Sequence, residues 1–255
     1  MIGCGKMGGA LLSHWMSGGE EFTIVDPILD AVPSGARLVR DRSAVSEERF
    51  DVVVVAIKPQ MIDEVMPAYA ALLAGGGYAL SIAAGCSIAR LSRLLGGAPV
   101  VRVMPNLPAA VGKGVSGVCA GPGATGAALA HAEAMMQRTG TAVIVDDEDM
   151  IDHVTAVSGS GPGYVFEFAR AYVEAAITQG FTPTEARAMV LGTIDGAVAM
   201  ALADDTTDLA ELRNSVTSKG GTTAAGLATL NGDGQLSQRL RETLEAAYNR
   251  AVELR

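Results

Sequence analysis

Only three cysteines occur in the sequence, Cys4, Cys86 and Cys119, and no two of them are closely spaced. The chain is therefore expected to fold without a disulfide framework or a metal site, in a reducing cytoplasm. Long apolar stretches are scarce: the run Val52 to Ile57 is closed by Asp51 and Lys58, far short of the roughly 20 residues that span a bilayer. No basic segment followed by an apolar stretch and a small-residue cleavage site opens the chain, so no secretory leader is expected. Clusters of Lys and Arg are lacking too, and with a net charge of -9 the chain offers no electrostatic footprint for nucleic acid or an anionic membrane. Small molecules and further copies of itself are the partners to expect.

What is present is a 255-residue chain with 49% hydrophobic residues, enough to bury a sizeable core in one or two domains. Its 31 glycines follow no fixed period, which excludes a collagen-like repeat and leaves them as turn residues. Short β-rich runs at Phe22–Asp26, Asp51–Ile57, Tyr78–Ala83, Val100–Met104, Val115–Cys119 and Thr141–Val145 predict strands. Helical patterns at Gly8–Ser17, Met61–Ala74, Ser87–Leu95 and Ala124–Arg138 alternate with them. Strands apolar on both faces and interleaved with helices predict a doubly wound, mainly parallel sheet of the Rossmann type.

Beyond Asp152 the strand signal ends. Tyr164–Gln179 carries a helical apolar stripe that stops at Gly180, and Thr182, Pro183 and Glu185 form a capping box that opens a helix running to about Ala203. Thr207–Ser215 and Gln235–Leu254 predict two more helices. The pattern predicts an α/β domain over 1–147 and an all-helical domain over 148–255. Helices so rich in Ala and Met are expected to bury their surplus apolar surface against a second copy, giving a homodimer or higher oligomer.

Six segments carry possible chemistry. Gly3-Cys4-Gly5-Lys6-Met7-Gly8 is a G-x-G-x-x-G opening a helix, a cradle for a pyrophosphate. Asp26, at the end of the next strand, stands where a carboxylate would bond adenosine ribose hydroxyls. The strand that should lead into the fingerprint is reduced to Met1 and Ile2, so its central place in the sheet is expected to be nearly unfilled and the natural chain to begin several residues upstream. Ile57-Lys58-Pro59 and Ser81-Ile82-Ala83-Ala84-Gly85 end two strands on the side where doubly wound sheets bind ligands; either also suits an ordinary strand end. Arg102-Val103-Met104-Pro105-Asn106-Leu107-Pro108 and Ser158-Gly159-Ser160-Gly161-Pro162 contain no nucleophile with a base at fixed spacing. Val216-Thr217-Ser218-Lys219-Gly220-Gly221-Thr222-Thr223 places two glycines among hydroxyls at a helix start, a nest suited to a carboxylate or a plain helix cap.

In this order, the segments resemble the pyrroline-5-carboxylate reductase family over nearly the whole chain. The resemblance implies a Rossmann domain followed by a helical dimerisation domain, with substrate bound where they meet at a dimer interface. It implies NAD(P)H bound by Gly3, Cys4, Gly5, Lys6, Met7, Gly8, Asp26, Ile57, Lys58, Pro59, Ala83 and Ala84, with no metal. Ser218, Gly220, Gly221 and Thr222 would hold the substrate carboxylate, Thr223 would act as the catalytic hydroxyl on the ring nitrogen, and Glu148 would lie near the substrate. Three positions depart from the family pattern: Leu107 for a threonine, Lys219 for a proline and Ser215 for a longer polar side chain. Because Asp26 repels an additional ribose phosphate and Pro27 offers no N–H, NADH is expected to serve at least as well as NADPH. A 3-hydroxyacid-type dehydrogenase would need a lysine on the first helix of the second domain, and none lies between Tyr164 and Thr206. A non-catalytic dinucleotide sensor would have no use for the Ser218–Thr223 turn.

Overall fold

Period-two burial organises the first part of the chain. In β3 (Phe50–Val55), Val53 and Val55 enter one apolar cluster and Val54 the other, as expected of a strand covered on both faces. The computed structural model, which describes residues 1–254, builds this part from α1 (Lys6–Trp15), β1 (Thr23–Val25), β2 (Arg37–Val39), β3, α2 (Ile62–Val65), β4 (Leu73–Ser81), α3 (Ile88–Leu94), β5 (Val100–Met104), β6 (Gly114–Ala120), α4 (Gly126–Gln137), β7 (Gly140–Ile144) and α5 (Glu148–Val154). β3, β4 and β5 are parallel neighbours, β6 runs antiparallel to β5, and β7 is parallel to β6. β1 and β2 pair in parallel, in register from Thr23 with Arg37 to Val25 with Val39.

The place expected to be nearly unfilled holds one bridging residue and no strand, so that β1–β2 and β3–β7 form two separate ladders. Ile2 makes parallel bridges to both Val25 and Val55, donating to the Val54 carbonyl at 2.8 Å and accepting from Ala56 at 2.9 Å.

The largest buried side chain, Trp15, stacks on Phe22 at 6.2 Å and donates its indole N–H to the Met135 carbonyl at 2.9 Å. It thereby joins α1 to α4, and truncating so large a core residue costs about 3–5 kcal/mol. The helix expected over Met61–Ala74 is instead the single turn α2 flanked by 3-10 turns at Pro59–Met61 and Met66–Leu72. Pro67 offers no N–H for a continuous α-helix, and β4 already begins at Leu73. Neither β2 nor α5 was expected from the pattern, both being short.

The chain divides into two compact units. The first runs past the expected boundary at 147 to Pro162 and includes the chain from Ala246 onward. α5 belongs to it because Ile151 is fully buried in the cluster holding Val53, Val55 and Val100.

The second unit, Gly163–Glu245, holds most of α6 (Gly161–Thr178), α7 (Pro183–Ala203), α8 (Leu209–Ser215), α9 (Thr222–Asn231) and the start of α10 (Gln235–Leu254). The Thr182–Glu185 capping box opens α7 as predicted. An apolar hollow of about 390 Å³ lies between α6 and α7, lined by Tyr172, Phe181, Met189 and Val190 among others. By length and composition α7 is apolar enough to cross a membrane, a property the sequence runs had not shown. Its face, with that of α6, leaves large side chains uncovered within one chain: Phe166 is 71% and Leu202 78% exposed.

Candidate active site

The fingerprint loop is shaped by close packing. Gly3 adopts φ +76°, and a Cβ there would lie 2.7 Å from Cγ2 of Ile57 and 3.0 Å from the Ala56 carbonyl. The first two motifs thus touch. A Cβ at Gly8 would meet Met1 and Ala56, whereas Gly5 has no atom within 4 Å of that position and faces open space. Gly5 caps α1 without a side-chain bond, so the first amides of α1, from Lys6, Met7 and Gly8, point outward at the positive end of the helix dipole. That cradle fits a dinucleotide pyrophosphate.

Ile82 donates to the Val55 carbonyl at 3.1 Å, which sets the ends of β3 and β4 side by side. Lys58 and Ala84 are exposed there, Ile57 and Pro59 are half-buried, and Ala83 is buried. Gly85 lies beneath the end of α10, where a Cβ would be 2.6 Å from the Leu254 carbonyl oxygen. Burial pushes the Cys4 thiol up, the neighbouring Asp26 charge adding to the effect, so it stays a protonated packing group within the cradle.

Two of the expected ligand residues also bond within the fold. Asp26, only 7% exposed, accepts the Cys4 N–H at 2.9 Å through one oxygen and the Ile28 and Leu29 N–H groups at 3.0 Å through the other. The carboxylate fastens the fingerprint to the loop after β1. An Asx turn after a strand end brings the amides of Ile28 and Leu29 within reach of the carboxylate.

Glu148 is the second. Its Oε1 accepts the Ile88 N–H and Arg102 Nη1, each at 2.7 Å. Arg102, 2% exposed, also faces Asp152 Oδ1 at 3.6 Å. Strand alternation puts Arg102 on the same face of β5 as Val100, under α5, so a buried cation there takes its counter-charges from that helix. Through Oε1, Glu148 therefore ties α5 to the start of α3 and to β5.

The Ser218–Thr223 turn lies in the second unit. Gly220 has φ +70°, the Gly221 N–H bonds the Ser218 carbonyl at 3.0 Å, and a Cβ at Gly221 would collide with Ser218 Oγ at 2.3 Å. Gly221 is the N-cap of α9 with no side-chain cap bond, which removes the simple reading of Ser218 or Thr222 as a helix cap. Ser218, Lys219, Thr222 and Thr223 are exposed. Among the described residues no cluster of His, Cys, Asp or Glu could hold a metal ion.

Asn106, within the Arg102–Pro108 motif and not singled out by spacing, is 6% exposed and bonded on both sides, to the Val115 N–H and the Ser158 carbonyl. Its signal in the sequence was an amide between two prolines at a strand end.

A mainly parallel sheet with a fingerprint cradle at its carboxyl end is the architecture of dinucleotide-binding oxidoreductases. Residues 1–85 match the family of NADP oxidoreductases, coenzyme F420-dependent, and residues 148–254 match the pyrroline-5-carboxylate reductase dimerisation family. The pyrroline-5-carboxylate reductase of Vibrio alginolyticus is 39% identical over 86% of this chain and 80% of its own length, and that of Haemophilus influenzae 34% identical over 99% and 96%. The solved pyrroline-5-carboxylate reductase of Coxiella burnetii superposes with a TM-score of 0.91 at 32% identity, covering 99% of this chain and 96% of that one. The chain belongs to the pyrroline-5-carboxylate reductase family.

Proposed function

We propose that the protein reduces the cyclic imine 1-pyrroline-5-carboxylate to L-proline with NAD(P)H, working in the cytoplasm as a homodimer or larger assembly. The observation that carries the reading is the start of α9: amides at the positive end of a ten-residue helix, capped by no side chain among the described residues and ringed by three hydroxyls. Such an end receives a carboxylate well. Ser218, Gly220, Gly221 and Thr222 hold the substrate acid, and Thr223 orients the ring nitrogen or relays its proton.

Bound nicotinamide supplies a hydride to the imine carbon. The residues of this chain place the reactants, since a protonated imine accepts hydride readily once aligned and a neutral hydroxyl needs no shifted pKa to hold it. The Gly3–Gly8 cradle anchors the pyrophosphate, and Ile57, Lys58, Pro59, Ala83 and Ala84 border the strand ends.

NADH serves at least as well as NADPH in this reading. The Asp26 carboxylate stands at the end of β1, bonded to the Cys4 N–H, and repels an additional ribose phosphate to which Pro27 offers no N–H. The test is oxidation of each dinucleotide with pyrroline-5-carboxylate at low ionic strength, where the repulsion is least screened. Absence of turnover with both refutes the reductase; a preference for NADPH beyond about tenfold refutes only the charge argument.

A further inference from the structure

The chain between α5 and α6 does not continue as a regular helix. Thr155–Gly159 forms one π turn, closed by the bond from Ser160 N–H to the Thr155 carbonyl at 2.8 Å. Such wide turns are rare, and they leave backbone groups to be satisfied from outside the helix. At Ser158 the need is specific. Its carbonyl would ordinarily accept from the residue four further on, but that residue is Pro162, which has no N–H.

Asn106 fills the gap. Its Nδ2 donates to the Ser158 carbonyl at 2.9 Å, across 52 residues of sequence, while its Oδ1 accepts the Val115 N–H at the start of β6 at 2.8 Å. Although Asn106 occupies the N-cap position of the 3-10 turn Leu107–Val111, its side chain makes no cap bond there. An asparagine at an N-cap normally bonds locally; this one is committed elsewhere. The two bonds also fix its amide orientation, because the reverse would set two acceptors face to face. Packing adds a second restraint, since a Cβ at Gly159 would lie 2.7 Å from Met104 Cε.

β5 is parallel to β3 and β4, so Asn106, two residues beyond it, stands on the ligand side of the sheet. We propose that Asn106 is a positioning residue for the reduction, clasping the Ser158–Pro162 turn through the carbonyl that Pro162 leaves without a helical donor. The inference rests on the reductase reading above. Misplacement of reacting atoms by a fraction of an ångström slows transfer far more than it weakens binding, so the clasp acts on kcat.

Asn106→Asp keeps the shape and the acceptor for Val115 but sets a second acceptor against the Ser158 carbonyl. The expected result is a kcat for pyrroline-5-carboxylate lowered by about tenfold or more, with the Kd for NADH, read by its fluorescence, within about twofold of wild type. Amide hydrogen exchange in residues 155–163 should quicken in the same variant. Pro162→Ala restores an N–H four residues after Ser158, so in that background Asn106→Asp should cost clearly less. An unchanged kcat, an equal loss of kcat and NADH affinity, or the same cost in both backgrounds overturns the proposal. If the wild-type protein shows no turnover, the reductase reading fails instead, and unaltered exchange at 155–163 would overturn the clasp by itself.

Discussion

The Asp26 carboxylate accepts the backbone N–H of Cys4 across 22 residues of sequence, so the end of β1 holds the fingerprint in shape before any dinucleotide arrives. Preorganisation of this kind lowers the cost of binding, because the loop has no freedom left to lose.

Asp26→Ser tests both parts of that arrangement. The serine reaches fewer of the three amides, so NADH should bind about tenfold more weakly, the equivalent of one lost charged hydrogen bond. With the charge gone, the ratio of kcat/KM for NADPH over NADH should rise. Unaltered NADH binding would show that the loop holds its shape without the carboxylate.

Thr223→Ala should lower kcat/KM for pyrroline-5-carboxylate by roughly tenfold to a hundredfold, the value of one hydrogen bond of ~1–3 kcal/mol in the transition state, and leave the Kd of NADH as it was. Steady-state kinetics with unchanged kcat/KM would remove Thr223 from the chemistry.

Arg102→Ala leaves the Glu148 and Asp152 carboxylates facing one another without their shared cation. Losing one partner of a buried ion pair costs about 3–5 kcal/mol, and urea unfolding should show it as a lowered midpoint. A methionine at the same position should not rescue stability, since the acids remain.

The Glu20 carboxyl is held down to about 2 by the two bonds from Arg138, against the desolvation that would raise it. A depressed carboxyl stabilises the fold above its ordinary value of 4.5, and the contribution fades as pH falls from there toward 2. Thermal unfolding of wild type and Glu20→Gln should therefore differ, by about 1 kcal/mol for a partly exposed pair, at neutral pH, and should converge toward pH 2. A difference that persists in acid would locate the effect in packing.

Phe166→Glu with Leu202→Glu puts charge on the uncovered face of α6 and α7. The expected outcome in sedimentation at micromolar concentration is a monomer in place of a dimer. A dimer that survives both changes would mean that another surface makes the assembly.

The sequence by itself determined the alternation of strands and helices, the fingerprint at Gly3–Gly8 and the capping box at Thr182, because each depends on periodicity or on residues within a few positions of one another. It also marked the Gly220–Gly221 turn, where φ +70° at Gly220 makes glycine necessary. Only the tertiary structure decided what the polar side chains do. Asp26, Glu148 and Asn106 each had a free bonding capacity that sequence could assign to a ligand or to nothing, and the fold gave them to amides and carbonyls 22, 60 and 52 residues away. The physical reason is that a buried polar group takes whatever partner the fold brings within about 3 Å, and that proximity is a property of the packed chain, absent from any local window of residues.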